Sequence, residues 1–327
     1  MKVARYSRWG NPTDVVELLD EDTGAPAAGE VVISVEAAPI HLADLYCMRG
    51  LERFQMALPN VPGFEGVGRI TSTGAGVNHL KPGDRVFLPL ACGAWRQEIR
   101  VNAEGLLPAP AGDAAQLSLL PINPPTSYLV LKDFGDLRPG DWVIQNAANS
   151  NCGRYLIELA KLWGFRTVNI VRRAELGPDL KALGADVVVV DGPDLAARVA
   201  AATGGAKINL GLDAVNGLAT QRMAECLADG ATLLEYGMSA GEMCQIAPDL
   251  IFLRDIRLIG FYTVRQFAKR TPDQVRAIYA DLVRMFEQGH LTAKIAAVYP
   301  LSKVKEAVAH AARKGADRDG KIILTMT

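Results

Sequence analysis

The chain has 327 residues, 49% of them hydrophobic, which is enough for two buried cores at roughly 150 residues each. Lys plus Arg number 35 against 36 Asp plus Glu, so a net charge of −1 leaves no basic excess for a phosphate backbone, and no nucleic-acid partner is expected. No stretch approaches the roughly 18 uninterrupted apolar residues of a membrane span, and residues 1–10 carry Lys2, Arg5 and Arg8 rather than the apolar core of a signal peptide, so a cytoplasmic protein with no membrane partner is expected.

The first third of the chain reads as β-rich. Short alternating runs at 31–37 (VVISVEA), 66–73 (GVGRITST), 84–90 (DRVFLPL) and 96–101 (RQEIRV), punctuated by Gly and Pro, suit a small antiparallel barrel. An apolar, helix-like run follows at 114–119, then a turn-rich 122–126 (INPPT), then a helix to about residue 134. From residue 142 strands and helices alternate. The strands are WVIQNA (142–147), TVNIV (167–171), DVVVV (186–190), INLGLDAV (208–215), ATLLEYG (231–237) and IRLIGFY (256–262), with helices at 154–163, 178–183, 195–202 and 220–227 between them. Six such strands predict a doubly wound, parallel six-stranded sheet of the Rossmann kind, with ligand at the carboxyl ends of its strands. A further helix at 272–288 places Val275, Ile278, Tyr279, Leu282 and Phe286 on one packing face.

Two positions in the sheet carry cofactor chemistry. The first strand-to-helix turn, 146–153 (NAANSNCG), is not G-x-G-x-x-G, yet it stands where a pyrophosphate meets a helix N-terminus, which makes Asn149, Ser150, Asn151 and Cys152 candidate contacts. Asn tolerates positive φ better than other non-glycine residues, so Asn151 is expected to fill a position that usually takes glycine. The second strand ends in Arg172 and Arg173 rather than an acid, and guanidinium groups there suit a 2′-phosphate, so NADPH is the expected cofactor.

Taken with GFEGVG at 63–68, LKPGD at 80–84, INPPTSY at 122–128, RPGDWVIQNAAN at 138–149, TVNIVR at 167–172, EYGM at 235–238, GF at 260–261 and KIILTM at 321–326, the chain resembles a known family. It is similar, nearly end to end, to the zinc-independent medium-chain dehydrogenase/reductase superfamily, and within it to the mitochondrial-type 2-enoyl thioester reductases. The resemblance implies an α/β protein. Its parts are a GroES-like β-barrel catalytic domain over 1–118, completed by 260–327, and a Rossmann domain over 119–259, with cofactor and substrate in the cleft between them. It also implies Asn123 and Thr126 beside the nicotinamide, Tyr236, Gly237 and Met238 near the diphosphate or ribose, Phe261 and Tyr262 at the nicotinamide end, Lys321 on the cofactor's phosphate side, and a homodimer formed through edge strands.

At the positions where zinc-dependent members of the superfamily hold their catalytic metal, this chain has Leu42, Phe64 and Ile122, all apolar, so no metal is expected. Cys47, Cys92, Cys152, Cys226 and Cys244 include no C-x-x-C pair. The thioester reductases place a proton-donating Tyr just after a Q-G or R-G pair; here Glu52 follows Arg49-Gly50 at that place. The run IHLADLYCMRG at 40–50 resembles instead the quinone oxidoreductase branch, with Tyr46 as the candidate donor; Glu52 and solvent are the alternatives. The expected activity is NADPH-dependent reduction of an activated carbon–carbon double bond, most simply a 2-enoyl thioester. Quinone or enone reduction, and a catalytically silent NADPH-binding sensor or partner protein, are the competing expectations.

Overall fold

A computed structural model describes residues 1–51, 55–313, 315 and 318–327. Glu52 lies outside the described residues. The chain forms two compact units. The first comprises Met1–Ile122, Arg276–Glu287 and Ala293–Thr327; the second comprises Asn123–Val275 and Gln288–Thr292.

The first unit is built on a seven-stranded sheet in the order Ile295–Pro300, Lys321–Thr325, Glu30–Pro39, Val67–Thr73, Arg85–Phe87, Leu107–Pro108, with Glu98–Asn102 pairing Glu30–Pro39. Its pairings are antiparallel except that of Ile295–Pro300 with Lys321–Thr325. Glu30–Pro39 is the hub because Val31, Ile33 and Val35 are β-branched and buried at every second position. Opposite them Gly68 is obligatory, since a Cβ there would lie 2.5 Å from Ser34 O. The helix Val304–Ala311 closes this core with Val304, Ala307, Val308 and Ala311, one helical stripe.

The second unit is a parallel six-stranded sheet ordered Val187–Val190, Arg166–Val171, Trp142–Gln145, Ile208–Asp213, Thr232–Glu235, Arg257–Gly260. In sequence terms this is 3-2-1-4-5-6, so the order reverses at Trp142–Gln145, and the carboxyl ends of the strands beside that reversal are where sheets of this kind form a ligand crevice.

Three details differ from the sequence expectations. The segment INPPT is not a turn: a helix runs Asn123–Asp133, because Pro124 and Pro125 lie in its first turn, where a missing N–H breaks no intrahelical bond. The helix after the first strand spans Asn151–Trp163 rather than 154–163, since Ser150 caps it by accepting the Gly153 N–H at 3.1 Å. The units part at Ile122/Asn123 and Val275/Arg276 rather than after residues 118 and 259. Residues 260–275 stay with the second unit because Arg257–Gly260 is its sixth strand and Thr263 bonds Thr126 side chain to side chain at 2.6 Å.

Candidate cofactor crevice and proton-donor helix

The crevice is assembled by buried polar side chains at the strand ends. Asp213, fully buried at the end of the fourth strand, accepts from Asn146 Nδ2 at 2.6 Å, from the hydroxyl of Thr220, and from the backbone N–H groups of Val215 and Asn216 at 2.8 and 3.1 Å. Asn146 Oδ1 in turn accepts from the Ala214 N–H at 2.8 Å, which locks the first turn onto the fourth strand. From the other side Gln145 Nε2 donates to Gly153 O at 2.9 Å and to Asn169 Oδ1 at 2.8 Å, tying the helix start to the second strand. Sequence reasoning passed over Gln145, Asn146 and Asp213; a polar residue at the end of an otherwise apolar strand was the signal that they offered.

The turn holds one left-handed residue, and it is Ala147 at φ 47°, not Asn151, which is the first residue of the helix. Gly153 lets that helix abut the turn, because a Cβ would stand 2.7 Å from Ala148 O. The helix is 13 residues long, so its free N–H groups and dipole give the crevice a positive floor. Asn149 and Ser150 are half-buried there and Asn151 is buried.

Cys152 joins this helix to its neighbours. Ser127 Oγ donates to Cys152 O at 2.8 Å and lies 3.3 Å from its Sγ, and the thiol hydrogen-bonds Tyr236, whose hydroxyl burial pushes well above its ordinary pKa. Asn123 and Thr126 stand on the helix packed here, and Asn123 Nδ2 is a buried donor without a partner. Tyr236, Gly237 and Met238 follow the fifth strand, with Gly237 so close to Ala214 that a Cβ would meet it at 3.0 Å. Glu235, one residue earlier, is pushed up to about 7 by burial and the nearby Asp213, and accepts from Cys244 Sγ at 3.2 Å.

Asn123, Thr126, Ser150, Cys152 and Tyr236 are thus brought together. Phe261 is buried edge-on against Phe134 at 5.9 Å, while Tyr262 is 59% exposed. At the end of the second strand Arg172 is exposed and no ion pair holds it among the described residues, whereas Arg173 pairs with Glu175 at 3.4 Å.

Lys321 has its own surroundings. It belongs to the first unit, where its Nζ lies 2.9 Å from His41 Nδ1, and His41 Nε2 lies 2.6 Å from Glu65 Oε1. The side chain that meets this corner is therefore His41 and not Leu42, which packs on the core. Among the described residues no group of three His, Cys, Asp or Glu side chains is placed to hold a metal, and Phe64 and Ile122 offer no side-chain donor, so these residues do not fit a catalytic zinc.

Tyr46 lies on the helix Leu42–Arg49, half-buried. Burial raises the pKa of its phenol, and the charges of Arg49 and Arg318 oppose that rise.

Residues 27–120 match the alcohol dehydrogenase GroES-like domain and residues 152–281 match the zinc-binding dehydrogenase family. The human mitochondrial enoyl-[acyl-carrier-protein] reductase is 33% identical over 313 residues, covering 93% of this chain and 83% of that protein. The Caenorhabditis elegans protein of the same name is 32% identical over 296 residues, covering 88% and 84%. A solved structure from Bacillus thuringiensis, provisionally named an NADPH:quinone reductase, superposes with a TM-score of 0.91 at 25% identity, covering 100% of this chain and 99% of that one. The complex of Etr1p with NADP and crotonyl-CoA superposes at 0.86 over 99% of each chain, and at 23% identity this likeness shows the fold. With that length of match at that identity, the chain belongs to the mitochondrial-type enoyl-[acyl-carrier-protein] reductase family of the medium-chain dehydrogenase/reductases.

Proposed function

We propose that the protein is a zinc-independent reductase that uses NADPH to reduce the activated double bond of a 2-enoyl thioester. The support is the match along 93% of the chain to proteins named enoyl-[acyl-carrier-protein] reductases, joined to a crevice whose residues fit the cofactor. The fit rests on the unpartnered Asn123 Nδ2, a donor for a carboxamide oxygen, and on the close approach of backbone allowed by Gly153 and Gly237. When bound, NADPH supplies a hydride to an electron-poor carbon.

The chain's own residues do the rest. The N–H groups at the start of Asn151–Trp163, with Asn149, Ser150, Asn151 and Cys152, hold the diphosphate; Arg172, with Arg173, grips the 2′-phosphate. Asn123 and Thr126 orient the nicotinamide, Tyr236, Gly237 and Met238 border the ribose side, and Phe261 and Tyr262 border the nicotinamide end. Tyr46 donates a proton to the enolate that hydride addition leaves, and a held donor at the developing charge is the main gain available without a metal. Its nearby guanidinium groups, Arg49 and Arg318, stabilise the phenolate left behind.

A second copy is the proposed partner, joined at the exposed sixth strand. The five free cysteines suit a reducing compartment, and the cytoplasm is the one proposed; no helix among the described residues is long and apolar enough to cross a membrane. Quinone or enone reduction is the second reading, favoured by the 0.91 superposition on the Bacillus thuringiensis structure. NADPH oxidation with crotonyl-CoA and with a quinone separates the two. Faster turnover of crotonyl-CoA is expected, and turnover of the quinone alone reverses the order. Tight NADPH binding with no turnover of either would make the protein a sensor.

A further inference from the structure

His41, Glu65 and Lys321 are far apart in sequence and meet inside the first unit in a way that fixes where their protons are. An ammonium donates and cannot accept, so Lys321 Nζ makes His41 Nδ1 the acceptor. Burial and the charge of Lys321 hold His41 far below its ordinary pKa, so the ring is neutral. Its single hydrogen therefore sits on Nε2 and points at Glu65 Oε1.

Glu65 has no solvent exposure, and its second oxygen, Oε2, has no hydrogen-bond partner. Burial pushes the Glu65 carboxyl up to about 8, and the charge of Lys321 and the Ile122 N–H oppose that rise, so its ionised form leans on a positive charge that the imidazole relays from Lys321. Two other titratable groups face the corner. Asp44 accepts the His41 and Gly63 N–H groups at 2.7 and 2.8 Å, and the Tyr279 hydroxyl donates to Pro121 O at 2.7 Å.

His41 is also the N-cap of Leu42–Arg49, the helix that carries Tyr46. Lys321 Nζ reaches Ile40 O at 3.5 Å, and Ile40 N–H donates to Ile322 O at 2.9 Å, so Lys321 and its strand hold the start of that helix through both ring and backbone.

We propose that Lys321 is a positioning residue for the reaction, acting through His41 to set the ring's tautomer and the placement of the helix that carries Tyr46. This rests on the proposal that Tyr46 is the proton donor of a reductase, and it differs from the contact with cofactor phosphate that the family resemblance implies for Lys321. Without the Lys321 charge, Glu65 takes up a proton from solvent and donates it towards His41 Nε2, and the ring's own hydrogen moves to Nδ1.

Nitrogen-15 NMR of the four histidines, with His41→Gln to assign the signal, reads the tautomer directly. The wild type is expected to show Nε2–H on His41 and Lys321→Met to show Nδ1–H. With NADPH and an activated alkene, Lys321→Met should lower kcat about tenfold and change KM and the NADPH Kd less than about twofold, with Lys321→Arg restoring most of the loss. A wild-type ring carrying Nδ1–H, or the same tautomer in Lys321→Met, overturns the proposal. So does a weakened NADPH Kd at unchanged kcat, which would make Lys321 a cofactor contact. A wild type that reduces no activated alkene sinks the proposed function instead, and the ring measurement then decides this inference alone.

Discussion

Arg172 and Arg173 are neighbours in sequence with unequal freedom. Arg173 is partly neutralised by Glu175 at 3.4 Å, while Arg172 stands exposed with its charge unspent at the end of the second strand. A guanidinium without a carboxylate costs least to transfer to a phosphate. Arg172→Ala is therefore expected to weaken NADPH at least about tenfold and leave NADH within about twofold, with Arg173→Ala milder, in titrations of cofactor fluorescence. Equal loss for both cofactors would remove the 2′-phosphate from the account. A second consequence concerns Glu158, whose Oε2 accepts the Thr292 N–H at 3.2 Å and whose carboxyl burial pushes up to about 7. The folded chain holds that proton more tightly than the unfolded chain, so stability falls as pH rises from the ordinary 4.5 to about 7 and then levels off. Glu158→Gln keeps the acceptor and removes the charge. Its Tm should exceed that of the wild type by roughly a few degrees at pH 8 and match it at pH 4; a gain of the same size at both values would mean that burial of the charge is not the cause.

The elements of the second unit were readable because parallel strands covered on both faces appear as short, nearly continuous apolar runs, such as the four valines of Val187–Val190. The first unit was less so. Its strand Lys321–Thr325 completes the sheet by pairing Ile323 with Pro39, a contact between distant parts of the sequence that leaves no local trace. The site divided in the same way. Ser150 and Cys152 could be named from the sequence because a turn and its helix are local, and Asn123 through the family resemblance, whereas the relay of His41, Glu65 and Lys321 draws on three separate segments. One local expectation fails on backbone sterics: Asn151, tolerant of positive φ, is the first residue of the helix, and the left-handed position is filled by Ala147. An alanine there costs on the order of 1 kcal/mol, which glycine would relieve. Ala147→Gly is expected to be neutral or stabilising by up to about 1 kcal/mol in urea unfolding, while Asn151→Gly, in the first turn of the helix, costs about 0.5–1 kcal/mol. The opposite ranking would place the strain elsewhere in the turn.

At the scale of the whole molecule, a sheet ordered 3-2-1-4-5-6 ends in two edge strands that differ. Val187–Val190 is half-buried throughout, whereas every residue of Arg257–Gly260 is exposed. Leu258 and Ile259 are 38% and 39% exposed, and Phe252 and Leu253, a few residues earlier in the chain, reach 71% and 73%. An edge strand with exposed apolar side chains of its own invites pairing with another chain, and a two-fold axis at this edge satisfies both copies at once. The wild type is therefore expected to elute and scatter light as a dimer at micromolar concentration. Ile259→Lys puts a charge on the edge without entering a core, so it should shift the mass towards the monomer while the far-ultraviolet spectrum stays the same. A wild type that is monomeric at about 50 μM, a concentration at which an interface of standard size is normally saturated, would show that this edge is left open and that the dimer expected from the family is absent.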